Sequence, residues 1–498
     1  MSLLGDITVI FTLSVLVLFV FHKMKAPAIV GFLVVGILAG PYGFGLINSV
    51  DQVSVLAEIG VILLLFTIGL EVSLKDLLKI KRYVLVGGSL QVALTILVVS
   101  AILRFLGWPM GTSILLGFLI SLSSTAIVLR IIQSKSEFYT PQGRTILGIL
   151  IFQDLAIVPM MLVTPLLPGA TDGVATGSPL AILAKGLGLI AFVIISAKWI
   201  VPVMLDHIVR IGDRELFLLS LVAICFVVAS ISFFAGLSLG LGAFLAGLAI
   251  SESQYSHQAF GNVLPLKDAF TSFFFVSIGM LLDVDFLLQN PIYIILLAIG
   301  IIALKAMIAC SVIALIGLPL RIIILVGLAL SQIGEFSFVL SQVGLEHGLL
   351  SSEVYQIFLD VTVLTMAATS FIITMSPKVA DALMHLPFLQ KLNFSVPSIN
   401  ANIESIKDHL IIIGFGVNGR NVARSARSED IPYVIIDADP EIVKIEANES
   451  EPISYGDATQ EIVLQHAGIN NAKVMVIAIS DRAATRRITD FARRLNPD

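Results

Sequence analysis

Ile151-Phe-Gln-Asp-Leu-Ala-Ile-Val-Pro159 lies inside an apolar stretch, Thr145 to Leu167, that is long enough to cross a bilayer. Gln153 and Asp154 sit at its centre, flanked by apolar residues on both sides. A carboxylate at membrane depth costs on the order of a few kcal/mol unless it meets a proton, a cation or a basic partner, so it marks an ion or proton path. The competing reading, a helix-end aspartate held by local hydrogen bonds, is disfavoured because the flanks put Asp154 near mid-segment. Pro159 follows five residues later and predicts a kink close to the acid.

The composition agrees with a membrane setting. Of 498 residues, 57% are hydrophobic and 13% charged, which fits a polytopic membrane protein and no soluble globular one. Charge is concentrated in the last hundred or so residues, which predicts a soluble part behind the membrane part. A net charge of −5 leaves no basic surface for nucleic acid. Cys225 and Cys310 stand alone in apolar runs and suggest neither a disulfide framework nor a metal site. The first apolar run, Ile7 to Phe21, lacks a basic leader and a small-residue cleavage site and reads as a retained helix.

Segments near bilayer length number about thirteen. They run roughly over 6–22, 27–43, 52–71, 83–106, 112–133, 144–167, 180–205, 215–234, 237–251, 267–284, 291–317, 320–345 and 355–376. Lys and Arg cluster in alternate loops, including Lys23, Lys25, Lys79, Arg82, Arg130, Lys135, Arg144, Arg210 and Arg214. The positive-inside rule then places the N-terminus outside and the C-terminus in the cytoplasm.

Two segments carry polar interruptions: Ser121-Leu-Ser-Ser-Thr125 in the fifth and Ser331-Gln-Ile-Gly-Glu335 in the twelfth. Serine and threonine compete with a helix for its backbone groups, and such broken pairs mark transporter binding sites. The two segments are seven apart, so they enter the membrane from opposite sides, the relation of inverted repeats. Small polar residues can also serve close helix packing, but Glu335 is not needed for that. Lys305, midway through the eleventh segment, is expected to pair with Asp154, or else to reach a helix C-terminus or Glu335. Asp360 occupies the repeat position of Asp154 but lies towards its segment's outer end, where solvation is expected. Glycine-rich Gly236 to Gly247 reads as close helix packing.

These readings divide the chain into a membrane domain over 1–384, a linker over 385–407 containing Pro387 and Pro397, and a domain over 408–498. The last begins with the buried strand His409 to Ile413 and runs into Gly414-Phe-Gly416-Val-Asn418-Gly419 and a helical stretch. A second strand ends in Asp437, and Asp457-Ala458 follow. Strand, GxGxxG, helix, strand and terminal acid form the dinucleotide fingerprint: glycines admit a pyrophosphate at a helix N-terminus, and the acid accepts from ribose. Asp437 favours NAD(H) or another adenosine ligand such as AMP over NADP. With a fourth strand and one more helix before Asp498, this Rossmann-like domain reads as partial.

The motifs Leu122-Ser-Ser-Thr-Ala-Ile127, Phe152-Gln-Asp-Leu-Ala156, Phe274-Phe-Val-Ser-Ile-Gly-Met280, Lys305 and Ser331-Gln-Ile-Gly-Glu-Phe336 resemble the monovalent cation:proton antiporter-2 family, in particular the Kef-type potassium efflux antiporters. Residues 408–498 resemble the nucleotide-binding half of the domain that regulates potassium conductance. The resemblance implies a homodimer in the cell inner membrane, a mobile core domain, two crossed and partly unwound segments around Ser123–Thr125 and Gln332–Glu335, and Asp154 carrying cation and proton in turn. It also implies that Gln153 goes with potassium-type members. An ancillary regulatory subunit is a further partner of that class. The loop expected from Glu252 to Lys267 lacks the acidic run associated with glutathione gating.

The expected function is secondary exchange of a monovalent cation, potassium ahead of sodium, for protons. The proton-coupling and ion-binding set is Asp154, Gln153, Ser123, Ser124, Thr125, Lys305 and Glu335, with Asp154, Gln153 and Thr125 on the cation. The nucleotide set is Gly414, Gly416, Asn418, Gly419, Asp437, Asp457 and Ala458. A nucleotide-gated potassium channel is the rival, but no repeated carbonyl filter loop of the TVGYG kind occurs. A membrane oxidoreductase would need an acid or base at the nicotinamide, where only His466 is near, so a sensing domain without enzymatic turnover is expected.

Overall fold

The computed structural model describes residues 3–24, 27–47, 50–71, 82–135, 137, 140–170, 188, 203–234, 239–251, 253–384, 407–459, 461–479 and 482–497. Up to residue 384 these are almost all helix, because a lipid-exposed backbone can satisfy its polar groups only within itself. The helices are α1 (Leu3–Lys23), α2 (Ala28–Ala39), α3 (Val50–Glu71), α4 (Ser89–Phe105), α5 (Met110–Ser121), α6 (Thr125–Ser134) and α7 (Pro141–Val163). They continue as α8 (Arg214–Phe234), α9 (Leu239–Ser251), α10 (Ser256–Leu281), α11 (Pro291–Ile316), α12 (Leu320–Ala329), α13 (Phe336–Glu346) and α14 (Ser352–Met384). Among the described residues nine helices are long and apolar enough to span a membrane, and α2, α9 and α12 are shorter apolar ones. Phe19, Phe105, Ile292 and Leu315 stand exposed on helix surfaces, as lipid-facing side chains do.

Most of the expected seventh span, 180–205, and most of the linker lie outside the described residues. One boundary differs from expectation. The stretch expected to be a loop up to Lys267 is helical from Ser256, where α10 begins. Its polar residues His257, Gln258, Asn262 and Lys267 lower the apolar signal, although a helix can extend past the hydrocarbon.

The chain forms two compact units. The first comprises Met1–Ile127, Gly148–Lys305 and Ser331–Ser370; the second comprises Val128–Leu147, Ala306–Leu330 and Phe371–Asp498. In the first, glycines let helix backbones touch. A methyl group on Gly69 would stand 2.2 Å from Phe244 O and one on Gly247 2.0 Å from Phe66 O, which locks α3 against α9. Gly36 and Gly279 do the same for α2 and α10, at 2.1 Å from Val276 O and 2.2 Å from Leu33 O. A seven-residue π-helix, Arg82–Gly88, precedes α4. It packs on α7, since a methyl on Gly88 would fall 2.2 Å from Phe152 Cβ and one on Gly148 2.7 Å from Tyr83 Cβ.

The second unit contains a four-stranded sheet: β1 (His409–Ile413), β2 (Tyr433–Asp437), β3 (Ile453–Tyr455) and β4 (Ala472–Ile477). Its order is β3-β2-β1-β4 and every pairing is parallel. Parallel strands need crossovers, supplied here by α15 (Val417–Ser428), α16 (Pro440–Asn448) and α17 (Glu461–His466); α18 (Arg482–Leu495) follows β4. Both faces are covered, so β1 is apolar from Leu410 to Ile413. Ile411 and Ile413 pack with Leu464, Ala484 and Ile488, while Ile412 faces Ala423, Ile435 and Val443 on the other side.

Candidate functional site

The polar run in the fifth segment breaks the helix as its composition suggests. α5 ends at Ser121, Leu122 is extended, and α6 starts at Thr125. The twelfth segment breaks between Ala329 and Phe336. The two gaps cross at van der Waals contact: Gly334 N–H donates to Leu122 O at 3.1 Å. A methyl group on Gly334 would stand 2.6 Å from Ser123 C and O, so the crossing closes only around glycine.

A broken helix leaves carbonyls at one end and amides at the other, with partial charges of opposite sign. Both are met by ionisable side chains. Lys305, wholly buried at 0% exposure, donates to Leu122 O at 2.6 Å, Gln332 O at 2.6 Å and Ser123 Oγ at 3.1 Å. Glu335 Oε1 accepts from Ala126 N–H at 3.3 Å, in the first turn of α6. The expected pairing of Lys305 with Asp154 is therefore corrected in favour of the alternative, a helix C-terminus: among the described residues, the hydrogen bonds of the ammonium go to Leu122 O at the end of α5, to Gln332 O in the second break and to the Ser123 hydroxyl. Two fixed carbonyls and a hydroxyl satisfy its three protons, and spacing along the sequence could not reveal which acceptor the crossing brings nearest.

Asp154 is 8% exposed on α7. Thr125 Oγ1 lies 2.9 Å from its Oδ1 and 3.0 Å from its Oδ2, so one hydroxyl spans both carboxylate oxygens. The neighbouring amide ties the same helix to the gap. Gln153 Oε1 accepts from Ser123 N–H at 2.8 Å, and Gln153 Nε2 donates to Gln91 Oε1 at 2.7 Å. Gln91 in turn donates to Thr95 Oγ1 at 3.2 Å and to Ser121 O, the last residue of α5, at 3.3 Å. The sequence reading missed Gln91 and Thr95; the available signal was a lone glutamine within the apolar fourth segment. Ser124 Oγ accepts from Ile127 N–H at 3.4 Å as an α6 cap.

Oxygen acceptors remain for a cation. Gln332 Oε1 and Glu335 Oε2 are buried without a hydrogen-bond partner among the described residues, as is the donor Gln332 Nε2. Asp360 departs from expectation: it is 1% exposed, and neither of its carboxylate oxygens has a hydrogen-bond partner among the described residues. The tip of its segment is covered by the turn after α10, where Gln356 donates to Leu281 O and accepts from Asp283 N–H.

The glycine loop after β1 has the geometry of its motif. Gly414 has φ +90°, and a methyl on Gly419 would stand 2.0 Å from Gly414 O. Gly416 faces open space, with nothing within 4 Å of where a methyl would sit. It is the N-cap of α15 and supplies no side-chain cap, so the amide end of that helix is open to an anion. Asp437 is 7% exposed at the end of β2. It accepts from Phe415 N–H at 2.5 Å and Asp439 N–H at 2.7 Å. Burial pushes its carboxyl above the usual carboxylate range, against the pull of those two amides and of Arg144. Asn418 is exposed on the first turn of α15, and Asp457 accepts from Thr459 N–H and Oγ1 at 2.9 and 2.7 Å. Ala458 is buried in the core behind the sheet, which gives it a packing role. The loop, the open helix end and the terminal acid together fit an adenosine ligand with phosphate.

Comparison with known proteins finds two family matches along the chain. The family profile described as "Sodium/hydrogen exchanger, transmembrane" matches residues 9–376, and the TrkA-N domain profile matches residues 410–498. YbaL of Escherichia coli (strain K12), assigned by inference as a cation/proton antiporter, is 30% identical over 505 residues, covering 100% of this chain and 89% of that protein. The glutathione-regulated potassium-efflux system protein KefC of Salmonella heidelberg (strain SL476) is 28% identical, covering 95% of this chain and 74% of its own. Among solved structures, the sodium proton antiporter MjNhaP1 from Methanocaldococcus jannaschii at pH 8 superposes with a TM-score of 0.59 at 17% identity, over 77% of this chain and 99% of that one. The chain belongs to the transmembrane sodium/hydrogen exchanger family and carries a TrkA-N domain behind its exchanger region.

Proposed function

We propose that this protein exchanges potassium for protons across the cell inner membrane, with Asp154 carrying each ion in turn. The observation that carries the reading is the buried Asp154 carboxylate, spanned by the Thr125 hydroxyl beside two crossed helix breaks. Without cargo the hydroxyl donates to the carboxylate; with a cation bound it turns its proton away and offers a lone pair. Ser124, freed backbone carbonyls and Gln153 complete the oxygen set, while Gln91 holds Gln153 in place. Lys305 and Glu335 neutralise the helix ends and leave Asp154 as the charge that changes. A bare carboxylate is too costly to carry through an apolar barrier, so only the proton-loaded or cation-loaded site crosses, and that couples the two ions.

Potassium is favoured by Gln153 and by the named activity of KefC; sodium is the alternative, since MjNhaP1 is a sodium proton antiporter. The working form is a homodimer with the N-terminus outside and the TrkA-N domain in the cytoplasm. That domain binds NAD(H) or AMP through Gly414, Gly416, Gly419 and Asp437 without turning it over, and reports the ligand to the exchanger. Flux in proteoliposomes tests the whole reading. Saturable potassium uptake that drives proton efflux, weaker with sodium, is expected; cation flux without proton movement would sink it.

A further inference from the structure

We propose that Arg144 is the positioning residue through which the nucleotide site acts on the helix that carries Asp154. The inference rests on the nucleotide-binding reading above. Arg144 lies in the first turn of α7, where a cation opposes the helix dipole, so local propensity does not account for it. Its Nη1 lies 3.4 Å from Asp439 Oδ2. The Asp439 side chain is 3% exposed, and its Oδ1 caps α16 by accepting from Ile442 N–H at 3.4 Å.

The link runs on to the ligand site. The amide of Asp439 donates to Asp437 Oδ1, and Asp437 Oδ2 accepts from Phe415 N–H in the glycine loop. Glycine loop, ribose acceptor, second acid and Arg144 thus form one chain of contacts within the second unit. The field of Arg144 reaches the ribose acceptor, drawing the Asp437 carboxyl down against the effect of burial. Ribose hydroxyls donating to Asp437 add positive density beside Asp439 and weaken its hold on the guanidinium. Arg144 and Asp154 are ten residues apart on one helix, about 15 Å of rigid rod. A change in the hold on the first turn is therefore transmitted to the ion-binding carboxylate without further parts.

The test uses the full chain in proteoliposomes, with NADH and AMP as probes. Binding is read by calorimetry, and exchange is measured with and without each probe. Wild type should bind one of them and change its rate by about fivefold or more. Arg144→Ala should bind within about threefold of wild type, keep the cation concentration for half-maximal exchange, and show a ligand-on to ligand-off ratio of about one. Arg144→Lys should keep most of the response, and the swapped pair Arg144→Asp with Asp439→Arg should respond more than either single change. A wild type that binds and responds, with Arg144→Ala responding equally, overturns this inference alone. A wild type that binds neither probe overturns the nucleotide reading, and this inference with it.

Discussion

The crossing near Asp154 and the glycine loop after β1 are built from the same material and finished in opposite ways. Each presents the ends of broken or starting helices, and each closes around a glycine where two backbones meet, Gly334 in one and Gly419 in the other. At the crossing the protein supplies its own countercharges, Lys305 for the carbonyl ends and Glu335 for an amide end. At the loop the N-cap is Gly416, and α15 points its amides at open space. The difference suits the two roles proposed above. A transport site must have a quiet background, so that one carboxylate decides the state; a sensing site leaves its dipole for the ligand to answer.

The largest effect that breaks the comparison is at Asp154. Asp154→Asn should reduce cation-driven proton movement to background while leaving a folded protein, read by a pH-sensitive dye in proteoliposomes. Exchange at wild-type level by the purified variant would overturn the transport role. Next is Lys305→Ala, which strips the crossing of its cation. It should lower thermal stability by about 3 kcal/mol, the usual cost of breaking a buried charged contact, and slow exchange. Because Lys305 bonds to helix ends, the pH of half-maximal exchange should stay where it is. A shifted optimum with unchanged stability would return Lys305 to the side of Asp154.

Smaller effects sharpen the loop. Gly416→Ala places a methyl where nothing stands within 4 Å. Folding should be unchanged, while affinity for an adenosine ligand falls about tenfold or more, near 1.4 kcal/mol, because the phosphate approaches that backbone. Equal heats of binding for both proteins would remove the phosphate from this position. The smallest effect is a pH dependence. The raised carboxyl of Asp437 must be ionised to accept two ribose hydroxyls. Ligand affinity should therefore be full above that raised value and decline as pH falls through it, at a higher pH than an exposed aspartate would give. For the fold the sign is reversed: the stabilising share of Asp437 is present below the unfolded carboxylate value and is lost as pH rises through the folded one. Titration calorimetry across pH, with Asp437→Asn as a flat control, checks the direction.

Much of this was legible because it is local. Hydropathy marked the apolar helices of the described residues, the Ser121–Thr125 and Ser331–Glu335 runs marked the breaks, and the glycine spacing marked the loop, since each is set by neighbouring residues. For Lys305 a helix end was legible only as an alternative to Asp154, and which ends it would reach was not. Two helix ends, at Leu122 and Gln332, are far apart in the chain and become its acceptors only once they cross. Gln91 was missed for a similar reason, as a single amide in an apolar run becomes informative only when Gln153 and Ser121 stand opposite it. Asp360 was misjudged because distance from a segment's end says nothing of what packs over it.

One ammonium that holds the carbonyl ends of two crossing segments also has a mechanical meaning. Leu122 and Gln332 are pinned to the same atom, and Gly334 is bonded across to Leu122. Neither strand can slide or fray while the other stays. Their backbone amides should then open to solvent as one cooperative unit, and under the proposed exchange any motion that turns the site from one side of the membrane to the other must carry this knot intact.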